Sequence, residues 1–183
     1  MDVFEAIQKR KSVRSYEQAP VPKDVLMKLL EAARLAPSAA KIQPWHFIVV
    51  TDSQKRKALS KGFFAKFLVN VPAVIVACGD TKASPDWYAV DTSLALENMV
   101  LAATGEGLGT CCIGSFNEKS IKELLKIPQN LSVVALLAVG YARENVDLTQ
   151  KIINLVRKRK TLSEIASWEE YGQKLEGKLV QNG

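Results

Sequence analysis

Apolar positions recur in this chain with two different periods, and the switches between them mark out the elements. Asp2 stands where it can cap a first helix, with Glu5 three residues on and Phe4 and Ile7 on one face. A second helix is predicted from about Pro22 to Ala36. Proline suits its first turn, Val25, Leu26, Leu29, Leu30 and Ala33 keep helical spacing, and Pro37 and Ser38 end it. His46 to Thr51 is a short β-rich run that reads as a buried strand. Ser53 then caps a basic amphipathic helix ending near Asn70, and Pro72 to Gly79 reads as a second buried strand. Asp86 to Thr104 is a long helix rich in Ala and Leu, with Val90, Leu94 and Leu101 on one side, apolar enough to be largely buried. Cys111 to Ser115 is a third strand. Asn117 caps a short helix with Ile121, Leu124 and Leu125 facing inward, and Leu131 to Tyr141 is a long apolar strand. Beyond Arg143 the chain turns polar, passes a basic cluster, and is predicted helical from about Ser163 to Val180.

Two helices precede the first strand, and the strands and helices do not form a clean βαβ series. The order predicts an α+β fold, with helices layered on a mixed sheet. The 183 residues fit a single domain, 1–183, whose last part, about 144–183, reads as an arm. Ile165, Trp168, Tyr171, Leu175 and Leu179 give that arm an apolar stripe in need of a surface. No apolar run approaches the roughly 20 residues that span a bilayer. The start, Met-Asp-Val-Phe-Glu, carries acid where a signal peptide carries basic charge, so the expectation is a cytoplasmic protein without a membrane partner. Three cysteines, Cys78, Cys111 and Cys112, and a single histidine make a poor metal-ligand supply, and the thiols read as packed side chains.

Candidate chemistry is sparse by residue type. Gly105-Glu-Gly107-Leu-Gly109 lacks the last glycine of a dinucleotide fingerprint, having Thr110 there, and it ends a helix rather than opening one. Its glycines read as helix termination. His46 has no nucleophile or carboxylate signature beside it and reads as structural. The net charge of +6 is more informative. Much of it sits in two clusters, Lys9, Arg10, Lys11 and Arg14, then Arg157, Lys158, Arg159 and Lys160. The first sets a hydroxyl and backbone N–H groups among guanidinium groups, which suits a phosphate monoester. A solvated charged face is the alternative. A nucleic-acid-binding module would need an aromatic-interleaved basic face, and none is visible.

The chain as a whole resembles the FMN-dependent nitroreductases. Five segments carry the resemblance in order: Arg10-Lys11-Ser12-Val13-Arg14-Ser15-Tyr16; Ala36-Pro37-Ser38-Ala39-Ala40-Lys41-Ile42-Gln43-Pro44-Trp45-His46-Phe47; the helix end Leu101-Ala102-Ala103 leading to Gly107-Leu108-Gly109-Thr110; Ile113-Gly114; and Arg159-Lys160-Thr161-Leu162 with Glu164. The resemblance implies a three-layer fold with a central mixed sheet, and a homodimer whose C-terminal arms are exchanged between subunits. It implies FMN at the dimer interface. Arg10, Lys11 and Ser12, joined by Arg157 or Arg159, would hold the phosphate and ribityl chain. Arg14 would approach the pyrimidine end of the ring. Pro37, Ser38 and Ala39 would come from the other subunit, Gln43 would bond the ribityl or ring edge, and the Ile113 and Gly114 backbone would lie near flavin N5.

The activity so implied is oxidoreduction: NAD(P)H as hydride donor, and a small electrophilic acceptor such as a nitroaromatic, quinone or enone, in ping-pong order. A dedicated metabolic substrate on the same cofactor is the alternative. No catalytic side chain and no metal are expected, because the cofactor carries the chemistry. Two departures stand out. Lys41 occupies a position where many members carry Asn, and the stretch from Asp80 to Asp86 is short, which implies an open pocket bordered by Phe63, Phe64, Trp87 or Tyr88.

Overall fold

In the computed structural model, which describes residues 1–61, 63–143 and 159–175 (backbone only at Phe63 and Phe64), four strands form one sheet. They are β1 (Trp45–Val50), β2 (Ala73–Asp80), β3 (Gly109–Ile113) and β4 (Leu131–Gly140), ordered β1-β2-β4-β3 with every neighbour antiparallel. The central strands β2 and β4 are buried on both faces, so their sequences run apolar without alternation. Ala73, Ile75, Ala77, Leu137 and Val139 point to one face, where α2 (Lys23–Arg34) and α4 (Tyr88–Gly105) add Leu29, Ala33, Met99 and Ala103. Val74, Val76, Cys78, Leu136 and Ala138 point to the other. There α3 (Ser53–Leu59), a 3-10 stretch Phe63–Asn70 and α5 (Glu118–Leu125) add Leu59, Leu68 and Ile121. The result is the expected three-layer α+β arrangement. The parallel pairing found among the described residues is confined to one bridge, Ser12 to Thr110.

That bridge places the first basic cluster. α1 (Val3–Lys9) begins where Asp2 Oδ1 accepts the Glu5 N–H at 2.8 Å, and Arg10 closes it by donating its N–H to the Ala6 carbonyl. The chain then lies along the free edge of β3, with the Val13 N–H donated to the Thr110 carbonyl at 2.8 Å. Tyr16, 2% exposed, bridges Ala142 and donates its hydroxyl to the Val13 carbonyl at 2.6 Å. The close approach depends on Gly109. A Cβ there would lie 2.7 Å from Val13 Cγ2 and 2.9 Å from Val13 Cβ.

Three expectations are corrected. The basic helix is capped by Asp52, not Ser53, and stops at Leu59 rather than near Asn70. The Ser60 hydroxyl donates to the Lys57 carbonyl at 2.7 Å, competing with the helical ladder, and the chain resumes as the 3-10 stretch. The third strand spans Gly109–Ile113 rather than Cys111 to Ser115, because Gly109 and Thr110 already pair with Gly140 and Val139. The predicted helix from Ser163 to Val180 shrinks, within the described residues, to one turn, α6 (Leu162–Ile165). Thr161 and Glu164 form a capping box that starts it correctly. Ala166 is then extended, Ser167 Oγ accepts the Gly172 N–H at 2.9 Å, and Glu169 and Gly172 take positive φ. Local side-chain bonding thus wins over the helical spacing of the apolar residues. The chain divides into two compact units, Met1–Asp147 and Leu148–Gly183, and α6 belongs to the second.

Two stability effects are expected. Gly109→Ala should lower stability by about 1–3 kcal/mol, because neither Val13 nor the paired backbone can yield easily; an unchanged denaturation midpoint would contradict the close packing of the N-terminal segment on β3. Arg56 of α3 donates through Nε to the Thr51 carbonyl at 3.2 Å and through Nη1 to the carbonyls of Val69 and Val71, tying α3 to both chain ends beside it. Arg56→Ala should cost about 2–3 kcal/mol, and Arg56→Lys should recover only part because an ammonium lacks the planar fork. Equal stability of wild type and Arg56→Ala in urea unfolding would argue against this tie.

Candidate functional site

The site is most fully assembled where the basic segment meets β3. Arg10 and Ser12 are half-buried and Lys11 is exposed. With Lys9, Gly107 and Gly109, Arg10 and Lys11 line a hollow of about 180 Å³ that no acidic residue lines. Gly107 turns the chain out of α4 with φ +74, as the helix-termination reading of the glycines requires. β3 runs parallel to the basic segment from the Ser12–Thr110 bridge. Three residues further, about 10 Å along a strand, it delivers buried Ile113 and exposed Gly114. Arg14 opens on a different cleft, shared with Ser15, Tyr16, Gln18, Asn70 and Arg143.

Between these ends lies Cys112. All three thiols were expected to be packed; Cys78 and Cys111 are buried, but Cys112 is exposed. Alternation along β3 turns Cys111 into the core and Cys112 to the opposite face, which its neighbours leave partly open. The protein atoms around its sulfur, with Cys111 and Glu97, push the Cys112 thiol up to about 11, and the Arg10 charge pulls against them. A thiol so placed is a weak nucleophile at neutral pH. Arg10, Cys112 and Glu97 of α4 therefore share one electrostatic neighbourhood on the α4 side of the sheet edge.

The second signature forms a tight loop at the other end of α4. Ser38 is extended, and Ala39–Lys41 is a 3-10 turn. Ala40, Lys41 and Gln43 all have positive φ, at 47°, 60° and 53°. Each such L-residue costs about 1–2 kcal/mol, so the segment is held against local preference. The bonds that hold it are visible: Lys41 N–H to the Ser38 carbonyl at 3.1 Å, Ile42 N–H to the Ala39 carbonyl at 3.0 Å, and Gln43 N–H to Ser38 Oγ at 3.0 Å. Both carboxylate oxygens of Asp91, in the first turn of α4, lie 3.2 Å from the Ala39 N–H they accept. Asp91 is 2% exposed and escapes the sequence reading; an acid in the first turn of an Ala- and Leu-rich helix is the available signal. Pro37 and Gln43 are exposed, and Ser38 and Ala39 half-buried.

The remaining expected site residues fall elsewhere. Arg159 is exposed in the second unit, and Arg157 lies outside the described residues. Trp87 is 54% exposed. Tyr88 packs against the β2 end, where a Cβ on Gly79 would lie 2.7 Å from Tyr88 Cδ2, so it serves the fold rather than a pocket. The side chains of Phe63 and Phe64 lie outside those described. His46 is exposed on β1, opposite Cys78, in an open cleft with Gln43, Asp80 and Asn130. Among the described residues no group of three or more His, Cys, Asp or Glu is placed to hold a metal. No described helix is long and apolar enough to cross a membrane.

α4 has a second face. Asp91, Thr92, Ala95, Leu96, Met99, Val100 and Ala103 are buried, but Val90 and Leu94, expected inside, are 47% and 43% exposed. Apolar side chains thus stand on the outer side of the helix as well as on its inner side, and among the described residues nothing covers Val90 and Leu94 fully. Phe4 and Ile7 of α1, which packs on α4, are also exposed, at 63% and 43%.

Comparison with known proteins places this arrangement. Residues 7–79 and 60–141 match the Nitroreductase family. A relative from Archaeoglobus fulgidus is 38% identical over 154 residues, covering 80% of this chain and 88% of its own. The crystal structure of an FMN-dependent nitroreductase from Clostridium difficile R20291 superposes with a TM-score of 0.72 at 32% identity, over 86% of this chain and 99% of the other. An FMN reductase [NAD(P)H] from Bacillus subtilis is 27% identical over 163 residues, covering 76% of this chain and 66% of its own. The match spans both halves of the candidate site in the first unit, the basic segment on β3 and the strained loop on α4, and the chain belongs to the nitroreductase family.

Proposed function

We propose that this protein is a homodimeric FMN-dependent oxidoreductase, taking hydride from NAD(P)H and reducing a small nitroaromatic, quinone or enone in ping-pong order. The observation that carries the reading is the parallel docking of the Arg10–Arg14 segment on β3. It sets cations, a hydroxyl and the Ile113–Gly114 backbone along one strand edge. The donor chemistry fits the cofactor: a phosphate monoester takes charge plus several donors, and the hollow beside Arg10 and Lys11 has no acidic lining. The names of similar proteins, an FMN-dependent nitroreductase and an NAD(P)H-using FMN reductase, agree.

Arg10, Lys11 and Ser12 would hold the phosphate and ribityl end, with Arg159 or Arg157 supplied by the arm. Pro37, Ser38, Ala39 and Gln43 would bear on the ring or ribityl from the partner subunit, and the Ile113 and Gly114 backbone would face the reactive edge. Arg14 would favour negative charge at the pyrimidine end. When bound, FMN supplies the two-electron hydride chemistry, so the protein's part is position, charge and exclusion of side reactions. The weakly nucleophilic Cys112 fits a site without a protein nucleophile. The short segment after β2 leaves one open face to serve donor and acceptor in turn.

The dimer has its own support. Val90 and Leu94 of α4 with Phe4 and Ile7 of α1 form exposed apolar positions, and Leu162, Ile165 and Trp168 in the second unit are exposed as well. Such surfaces mark interfaces.

The Arg10→Ala/Arg159→Ala variant should be soluble and mostly colourless, since each charge-assisted phosphate contact contributes roughly 1.5–3 kcal/mol. Stoichiometric flavin in that variant after gel filtration would sink the phosphate assignment. Val90→Asp/Leu94→Asp should turn a dimer into a monomer in light scattering and release the flavin with it; a flavin-loaded dimer would remove α4 from the interface.

A further inference from the structure

We infer that Asp91 is a positioning residue for the cofactor, acting through the loop 37–43 rather than by touching the cofactor itself. The inference rests on the flavin reading above and extends it to a residue outside the recognised segments. Its ground is a buried carboxylate whose bonding points one way. Asp91 is 2% exposed, and among the described residues no Lys, Arg or His forms an ion pair with it. A buried carboxylate is expensive unless its charge is used. Here both oxygens converge on a single donor, the Ala39 N–H, at 3.2 Å each. Its place in the first turn of α4 adds favourable interaction with the helix dipole.

The donor belongs to the one segment, among the described residues, where three non-glycine residues within four positions have positive φ. Internal bonds keep that segment in a single shape, through the Ser38 carbonyl, Ser38 Oγ and the Ala39 carbonyl. These internal bonds fix the loop's shape but not where it sits. Asp91 is the group seen to fix its place, because it ties the loop to a helix packed on the central sheet. Ala36 in the core and the Asp80 N–H on the Pro44 carbonyl hold the ends of the loop, and Asp91 is the side chain that holds it between them, at Ala39. A loop released from that side chain relaxes toward ordinary φ values and no longer presents Gln43 and Ser38 together. The cost of ordering it then falls on cofactor binding.

The test uses the full chain with Asp91→Ala and Asp91→Asn. Asparagine retains an acceptor oxygen for the Ala39 N–H, and alanine does not. Asp91→Ser, too short to reach, stands in for alanine should that variant fail to fold. Hydrogen exchange of residues 36–43 reads the anchor, and FMN affinity by flavin fluorescence reads its consequence. Asp91→Ala should speed exchange in this loop and weaken FMN roughly 10- to 100-fold, the span of one lost charge-assisted hydrogen bond. Asp91→Asn, which keeps the acceptor without the charge, should fall between wild type and Asp91→Ala on both. Unchanged exchange in Asp91→Ala overturns the anchor, and faster exchange with unchanged FMN affinity overturns its role in positioning. Equal losses in the alanine and asparagine variants overturn the hydrogen bond as the cause. A wild-type protein that takes up no FMN would sink the flavin reading instead, leaving the exchange arm to decide the anchor.

Discussion

An edge strand leaves one row of backbone groups unpaired, and something must meet them. In this chain the residues after α1 meet the outer edge of β3, through the Ser12–Thr110 bridge and the Val13 N–H. The contact is close because Gly109 presents no side chain to Val13. The same contact turns Arg10 and Lys11 toward the hollow beside Gly107 and Gly109 and sets them on the strand that ends at Gly114. Sheet closure and site assembly are therefore one interaction. A change that lifts the segment from β3 removes the proposed phosphate-binding donors and uncovers the core at Val13 and Tyr16 together.

α4 is the second support. Its inner face carries small and apolar residues against β2 and β4, and its first turn holds the strained loop through Asp91. Its outer face is apolar and exposed at Val90 and Leu94. One helix thus links the core, the loop and the proposed interface. Strain at Ala40, Lys41 and Gln43 is tolerable only because this rigid neighbour holds the loop.

Much of this was legible in the sequence. The uninterrupted apolar runs of β2 and β4 identify strands buried on both faces, and Asp2 and Asn117 mark real helix starts. The basic clusters and the ordered segments pointed to the cofactor class. Positions set by competition between local bonds were not legible. The hydroxyls of Ser60 and Ser167 redirect the chain where apolar spacing alone predicts helix. Positive φ at three non-glycine residues leaves no mark in composition, and Asp91 is recognisable only once the Ala39 N–H is seen to point at it. Val90 and Leu94 read as core because apolar spacing predicts burial without saying which side of the helix the rest of the chain covers.

The central claim is that the docked basic segment and the loop make a redox flavin site, and absorbance under anaerobic conditions tests it most directly. Full-length protein reconstituted with FMN and freed of excess should show one flavin per chain, and the visible absorption of its oxidised flavin should bleach on adding NADH or NADPH and return when a quinone or nitroaromatic is supplied. A protein that retains no FMN, or one whose bound flavin stays oxidised with both nicotinamides, would contradict the account.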